Sequence, residues 1–208
     1  RWADANERLA RAMWISGGTD EGLERLEATA EALERTGHSP VRARVLAGIA
    51  GSHMLRGDHP QAIEAANAAI EEARATGTRL SEAHALNTLG TSTSLLGECG
   101  EGLRILREAF DLTRELNDVD DRGRSYANLS STLLICGSGE ESLRVSLDGM
   151  AWARGVGATN GYGRFLAGNA RGPENSVVPN ITPDKATGIG DWSEEDLAEY
   201  LGSGNKPD

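Results

Sequence analysis

Residues 57–97 read GDHPQAIEAANAAIEEARATGTRLSEAHALNTLGTSTSLLG, and this stretch contains one full period of the pattern that decides the fold. Glycine is the common residue just beyond the last turn of a helix. Each segment between two such residues therefore predicts one helix, and two consecutive segments predict one helical hairpin. The pattern recurs every 40 residues, with Gly57, Gly97 and Gly137 at the turn inside a hairpin and Gly77, Asn117 and Gly157 at its end.

Apolar residues recur in the same register as these turn residues. Aligned sets include Leu46, Leu86 and Tyr126, then Leu55, Leu95 and Ile135, then Ile70, Phe110 and Met150. A repeat of this length cannot bury its apolar face alone and has to stack on a neighbour. The sequence therefore predicts an all-α fold, a right-handed α-solenoid of about four helical hairpins with short turns.

The first hairpin is predicted from residue 1 to about residue 37, because Gly17 and Gly37 continue the 40-residue spacing. The other hairpins begin near residues 41, 81 and 121. Asp20 and Ser81 are predicted to cap the helices that follow them, and Pro60 suits a first helical turn because its missing N–H costs nothing there. The eight predicted helices cover 1–15, 21–36, 41–56, 60–76, 81–96, 101–116, 121–136 and 140–156.

Two short motifs inside this array resemble the tetratricopeptide repeat (TPR). Gly57-Asp58-His59-Pro60-Gln61-Ala62-Ile63 resembles its turn and the start of its second helix, and Asn87-Thr88-Leu89-Gly90 resembles its first-helix signature. Over about residues 1–170 the longer period is similar to the repeats of the large LuxR-type ATPase regulators of bacteria. This resemblance implies the cytoplasmic repeat segment of a transcriptional regulator, a scaffold for protein–protein interaction that is not an enzyme.

In the resembled repeats, the first helix of each hairpin lines a concave groove that holds a protein or peptide. Carried over residue by residue, this implies a groove lined by Arg44, His84, Asn87, Thr91 and Arg124. Arginine presents a planar fork of donors, so the two arginines beside His84 suit a carboxylate or an acidic peptide. The alternative is that these arginines form surface ion pairs with Glu82 or Asp121.

Composition excludes several other classes of function. The net charge of −11 makes nucleic acid an unsuitable direct partner, since phosphate binding needs a basic face. No apolar run is long enough to predict a membrane span. Cys99 and Cys136 show no metal-ligand spacing, and Cys136 is expected to be a buried free thiol. His53 is expected to be a partly buried structural residue, and Asp118, Asp120 and Asp121 a capping loop, so no metal or catalytic site is predicted.

The pattern changes near residue 168, where the helical register ends and proline becomes frequent. We therefore expect two domains, a TPR-like repeat domain at 1–168 and a second segment at 169–208. Within the second segment, Ser193-Glu194-Glu195-Asp196 predicts the start of one short helix. The motifs Val178-Pro179-Asn180-Ile181-Thr182-Pro183-Asp184 and Thr187-Gly188-Ile189-Gly190-Asp191-Trp192-Ser193 resemble a c-type cytochrome. That family would imply haem c and an electron-transfer function.

The haem attachment residues of that family are absent here. The family binds haem through CxxCH and a methionine, whereas the last His, Cys and Met of this chain are His84, Cys136 and Met150. We therefore expect the second segment to be an incomplete cytochrome fragment and the chain to bind no cofactor. The chain would then be a chimera of two unrelated sequences. A genuine fusion is the alternative. Because the chain begins with Arg1 rather than methionine, we also expect it to be part of a longer protein.

Overall fold

The computed structural model describes residues 2–15 and 19–156, and within these residues the chain is entirely helical. Eight α-helices occur in these ranges: α1 (Trp2–Ile15), α2 (Thr19–Leu33), α3 (Pro40–Arg56), α4 (His59–Thr76), α5 (Arg79–Leu95), α6 (Cys99–Leu116), α7 (Val119–Ile135) and α8 (Gly139–Gly155). A short 3₁₀ turn, Glu34–Thr36, follows α2. All eight helices predicted for residues 1–156 are present, and this confirms the all-α prediction.

The chain divides into two compact units, Arg1–Asp121 and Arg122–Asp208. The first unit holds the hairpins α1–α2, α3–α4 and α5–α6. The second unit holds nearly all of α7 and all of α8. The domain boundary predicted at residues 168–169, the predicted helix at Ser193 and the cytochrome-like motifs all lie outside the described residues.

Residues with positive φ end most of the helices, as the spacing of glycines predicted. Gly57 and Gly77 follow α3 and α4 with φ of 82° and 67°, and Asn117 follows α6 with φ of 53°. At Gly57 the backbone N–H groups of residues 57 and 58 bond back to the carbonyls of Met54 and His53. This conformation favours glycine because other residues are strained there.

The two helices of each hairpin cross where both carry a small residue. Gly90 on α5 faces Gly102 on α6 so closely that a Cβ at Gly90 would lie 2.7 Å from the carbonyl oxygen of Gly102. In the first hairpin, a Cβ at Gly22 would lie 3.2 Å from the carbonyl oxygen of Ala10. The corresponding residues of the other hairpins are Ala50 with Ala62 and Ser130 with Ser142, and the Ser142 hydroxyl donates to the Ser130 carbonyl at 2.8 Å.

The first unit has a continuous apolar core made mainly of alanine and leucine. One cluster joins α1, α2 and α3 through Ala10, Leu23, Leu26, Val45 and Ile49. A second cluster joins α3 to α6 through Ala47, Ala69, Ile70, Ala85, Leu86, Ile105 and Ala109. In the second unit, Tyr126 stacks on Trp152 with ring centroids 5.6 Å apart, and the Arg122 guanidinium lies 4.9 Å from the Trp152 ring centroid.

A buried carboxylate fixes the loop that precedes α3. Glu72 on α4 is 3% exposed and accepts hydrogen bonds from Nδ1 of His38 at 2.8 Å, the backbone N–H of Ser39 at 2.6 Å and Nη1 of Arg42 at 3.0 Å. Burial alone would raise the pKa of the Glu72 carboxyl. The hydrogen bonds from His38 and Ser39 and the charge of Arg42 outweigh burial, so its pKa is lowered from the ordinary value of 4.5.

Three local predictions need correction, and two others are confirmed. Cys136 is not a free thiol, because both Cys99 and Cys136 are disulfide-bonded. Ser81 does not cap α5, because the helix begins earlier, at Arg79, and Ser81 is buried. Asp20 lies inside α2, one residue beyond its first residue. Pro60 does lie in the first turn of α4, and Oδ1 of Asp118 accepts from the Asp121 N–H at 2.9 Å as a capping residue would.

Candidate ligand-binding face

The predicted site residues of the first unit lie on α3 and α5, the first helices of two consecutive hairpins. Arg44 lies on α3 and is half-buried, and His84 lies on α5. The two helices are close at this point, because a Cβ added to Gly51 of α3 would lie 3.6 Å from Nε2 of His84. The absent side chain of Gly51 thus leaves the imidazole beside the backbone of α3.

The imidazole of His84 is oriented by a buried carboxylate. Its Nδ1 lies 3.2 Å from Oδ1 of Asp121, whose side chain is 7% exposed. The backbone of Asp121 is itself held by Asp118. This carboxylate forms an ion pair with the imidazole when the ring is protonated.

The carboxylates offered as ion-pair partners for the arginines both bond to other groups. Nε of Arg74 donates to Oε1 of Glu82 at 2.6 Å, and Asp121 pairs with His84. Arg44 and Arg124 each take part in an interaction, so neither guanidinium is free. Arg124 lies on α7 in the second unit and is half-buried.

Asn87 and Thr91 lie below the surface of α5 rather than on it. Asn87 is 1% exposed, and the Thr91 hydroxyl donates to the Asn87 carbonyl at 2.9 Å, inside the helix. The structure therefore places His84 against the buried Gly51, and it leaves Asn87 and Thr91 buried within α5. The 40-residue register carried no information about the depth of these side chains.

Exposed leucines lie near the C-terminal ends of α3 and α5. Leu55 near the end of α3 is 50% exposed, and Leu95 at the end of α5 is 39% exposed. They occupy equivalent positions in consecutive repeats, 40 residues apart. Sequence alignment grouped them with core positions, and only the structure shows that both side chains reach solvent.

Charge is divided unequally between the first and second helices of the hairpins. Helix α3 contains Arg42, Arg44 and Arg56 and no acidic residue. Helix α2, the second helix of the preceding hairpin, contains five acidic residues and one arginine. Carboxylates nearby balance most of the charge of α3, because Arg42 pairs with Glu72 and Arg56 pairs with Asp20 and Asp58.

Neither a cluster of metal ligands nor a membrane-spanning helix occurs among the described residues. Within 2–15 and 19–156, no group of three or more His, Cys, Asp or Glu side chains is placed to bind a metal ion. His53 was expected to be a structural residue. Its Nδ1 is 3.6 Å from Oδ2 of Asp58, and its Nε2 is 3.9 Å from Oε1 of Glu27. No helix of this part of the chain combines the length and the apolar character that crossing a bilayer requires.

Comparison with solved structures identifies the fold. The chain is similar to a putative kinesin light chain of Podosopora anserina with nearly identical TPR-like repeats, with a TM-score of 0.57, 17% identity, and coverage of 73% of this chain and 74% of that one. It is also similar to a Rap protein complexed with Competence and Sporulation Factor, with a TM-score of 0.64, 16% identity, and coverage of 74% and 44%. Aspartyl phosphate phosphatase F from Bacillus subtilis gives a TM-score of 0.61, 13% identity, and coverage of 74% and 41%.

At these identities the similarity establishes the fold alone, and that fold is a TPR-like helical repeat. No protein-family model matches the chain. Among curated proteins, a stretch of 45 residues is 49% identical to a diheme cytochrome c-type protein of Cereibacter sphaeroides. That match covers 22% of this chain and 14% of the cytochrome's length.

Proposed function

We propose that the chain is a non-catalytic scaffold that binds a protein or peptide on the face formed by the first helices of its hairpins. The observation that carries the proposal is the proximity of α3 and α5, where His84 lies against Gly51 and where Leu55 and Leu95 are exposed near the ends of the two helices. TPR-like neighbours support it in general terms, since one of them was solved in a complex with another factor. Arg44, His84, Asn87, Thr91 and Arg124 remain the proposed binding residues.

A peptide library displayed on phage, selected against the purified chain, tests this function. Peptides from the selected pool would be labelled with fluorescein and titrated by fluorescence anisotropy. We expect Arg44→Ala and Arg124→Ala each to weaken binding by about tenfold, the loss that follows from removing one charge-assisted hydrogen bond. Arg104→Ala is the matched control, because Arg104 lies on α6 and pairs with Glu101 and Glu108. Equal losses in all three variants would contradict the proposal.

The proposed role for this scaffold is the repeat segment of a bacterial transcriptional regulator. Its support is the similarity of the 40-residue repeats to those of LuxR-type ATPase regulators. Sequencing the gene from which the chain derives tests this role. A reading frame that continues into nucleotide-binding and DNA-binding modules would support the role, and a frame without either module would contradict it.

We also propose that residues 1–168 and the cytochrome-like tail are a chimera and that the chain binds no haem. The match to a diheme cytochrome supports a second origin for part of the sequence. The donor set does not fit haem c, because both cysteines are disulfide-bonded and no His or Met follows Met150. One long DNA read across the codons for Tyr162–Val178 tests the join, and a contiguous read from source material would contradict the chimera.

The cytoplasmic location expected from the regulator resemblance also remains a proposal. The oxidised state of Cys99 and Cys136 counts against it, since disulfides are rare in cytosolic proteins. Rapid alkylation of cells that express the chain, followed by mass spectrometry of the cysteine peptides, distinguishes the two cases. Alkylated thiols at both positions would support the cytoplasm, and unmodified disulfide-linked peptides would contradict it.

A further inference from the structure

The fourth hairpin differs from the second where an arginine of the first helix meets the second helix of its own hairpin. In the second hairpin, Nη1 of Arg42 donates to the carboxylate of Glu72 at 3.0 Å. Two periods of 40 residues further along the chain, the equivalent residues are Arg122 and Trp152. There the guanidinium lies 4.9 Å from the centroid of the indole ring. The arginine is retained, but an aromatic ring replaces the carboxylate that accepts its hydrogen bond.

Two further differences accompany this replacement. Tyr126 replaces the leucine of the two preceding hairpins, and its ring stacks on Trp152 with centroids 5.6 Å apart. Gly149 replaces the alanine of the two preceding hairpins, and a Cβ at this position would lie 2.9 Å from Cγ of Tyr126. Three changes at separate positions thus build one aromatic platform, Tyr126 with Trp152, beside the guanidinium of Arg122.

The N–H groups of Arg122 have no acceptor in the part of the chain that the structure describes. Its Nε is buried without a hydrogen-bond partner, and no residue within 2–15 and 19–156 forms an ion pair with it. The contact with the aromatic platform uses the charge of the guanidinium and not its N–H groups. The platform therefore holds a half-buried arginine in place and leaves its hydrogen-bond donors available for a ligand.

The charges near Arg122 select the kind of anion that can bind. Asp120 and Asp121 lie in the same first turn of α7. Their negative charge repels a doubly charged phosphate more strongly than a singly charged carboxylate. A carboxylate also matches the planar fork of an arginine, because its two oxygens accept two parallel hydrogen bonds. The site therefore favours a single carboxylate over a phosphate.

We propose that Arg122, held by the aromatic platform, binds a carboxylate of a partner peptide, either an Asp or Glu side chain or a C-terminal carboxylate. This carboxylate takes the role that Glu72 has in the second hairpin. The site is separate from the binding residues proposed above. Arg122 and Arg124 are two residues apart on α7, so they lie about 160° from each other around the helix axis. The inference therefore goes beyond the proposed function and does not depend on it.

NMR spectra of the full purified chain, labelled with ¹⁵N-tryptophan, test the inference. The indole N–H signal of Trp152 is the one that disappears in Trp152→Phe. The probe is an acetylated and amidated pentapeptide with a central glutamate between glycines, and the same peptide with glutamine is the neutral control. We expect the glutamate peptide to shift the Trp152 signal with a Kd of about 1–10 mM, the order expected for two charge-assisted hydrogen bonds. An equal shift with the glutamine peptide, or no saturable shift with the glutamate peptide, would overturn the inference.

Two further probes define the anion. A glycine pentapeptide with a free C-terminal carboxylate should also shift the Trp152 signal, and its affinity relative to the glutamate peptide shows which source of carboxylate the site prefers. Inorganic phosphate should bind at least about tenfold more weakly than the better of the two peptides, because of the negative charge nearby. Phosphate binding as tight as that of the peptides would overturn the assignment of a carboxylate.

Substitution of the arginine then tests its role directly. Arg122→Gln should weaken binding of the glutamate peptide by about tenfold or more, because both the charge and the fork of donors are lost. Arg144→Gln is the matched control, since Arg144 is an exposed arginine on α8 and the charge change is the same. Unchanged dispersion of the other indole signals shows that each variant is folded. Equal affinities in the two variants would overturn the inference.

A second variant keeps Arg122 and removes the platform beside it. Trp152→Leu introduces the residue that the third hairpin has at the equivalent position, Leu112, so the helix can accept it. Binding is then followed by the Nε–H signal of Arg122 in ¹⁵N-arginine-labelled protein. We expect the affinity for the glutamate peptide to fall by about threefold or more, because the guanidinium is no longer held in one orientation. An unchanged affinity would overturn the role assigned to the platform.

Discussion

Glu72 shows how a single side chain fixes the start of a hairpin. Its carboxylate receives donors from the loop before α3 and from the first turn of that helix, while Glu72 itself lies on α4. Buried carboxylates are stable only when their lone pairs are used, because desolvation of the charge is costly. The position of α3, and therefore of Arg44, depends on this cluster.

We predict that Glu72→Gln lowers the free energy of unfolding by about 1.5–3 kcal/mol, the range for hydrogen bonds to a charged group. The amide keeps the shape but loses the charge, and it turns an NH₂ group towards the donors. Glu71→Gln is the matched control, since Glu71 is the exposed neighbour on the same helix, and it should change little. Urea denaturation of the three proteins measures the difference, and equal midpoints for Glu72→Gln and the wild type would contradict the prediction.

The lowered pKa of Glu72 gives this contribution a pH dependence of known sign. A carboxyl with a lowered pKa in the folded state stabilises the protein above its unfolded pKa, and this stabilisation is lost as pH falls through the folded value. The stability difference between wild type and Glu72→Gln should therefore be largest at neutral pH and shrink below the ordinary value of 4.5. A difference that grows on acidification would contradict the assignment of the shift to Glu72.

Sequence analysis did not predict this cluster because its members are distant along the chain. His38 and Ser39 are 34 and 33 residues from Glu72, and no local pattern marks the pair. The Ser39 hydroxyl also accepts from the Arg42 N–H at 3.2 Å and so caps α3. A serine before proline was visible in the sequence, but the buried carboxylate that completes the arrangement comes only from tertiary packing.

At the scale of helices, the crossing of α5 and α6 limits what the sequence can accept. A Cβ at Gly102 would overlap the Ser94 hydroxyl and lie 2.6 Å from the Gly90 carbonyl oxygen. Backbone atoms of a packed helix cannot move aside as a flexible side chain can. The close approach of the two helices therefore requires glycine at both positions.

We predict that Gly102→Ala destabilises the protein by about 1–3 kcal/mol through overpacking. Gly100→Ala is a control on the same helix, because a Cβ at Gly100 would meet nothing within 4 Å. Alanine is the better helix former, so this control should be neutral or stabilising by up to about 1 kcal/mol. Thermal unfolding followed by circular dichroism compares them, and a lower melting temperature for Gly100→Ala than for Gly102→Ala would contradict the explanation.

The sequence predicted where the helices end. It predicted only in part how each helix is rotated about its own axis, and therefore which side chains are buried. The predicted α3 and α4 began one residue late, at 41 and 60. The positive-φ glycines mark the preceding turns, but they do not fix the first residue of the next helix. Asn87 was placed on the binding face by repeat register, yet it is buried. A repeat pattern fixes equivalence between hairpins, but the depth of a side chain depends on how closely the neighbouring helices pack.

At the scale of the whole molecule, the net charge of −11 determines which macromolecules can bind. We predict no saturable binding of a fluorescein-labelled 20-base-pair DNA duplex in 150 mM salt, because a net negative charge of this size opposes contact with the phosphates of DNA. Fluorescence anisotropy measures this, with a basic DNA-binding protein as the positive control. Saturable binding that weakens steeply as salt is raised would contradict the prediction.

The contacts between small residues at the helix crossings also limit how the length of the gene can change. Three of the described hairpins have a close contact at the same two positions of a 40-residue unit, namely Ala10 with Gly22, Gly90 with Gly102 and Ser130 with Ser142. Loss or duplication of one whole unit leaves each surviving pair intact. An insertion or deletion of another length between the two positions would change their spacing and separate the pair. Changes in the length of this array are therefore expected to be inherited as whole repeats.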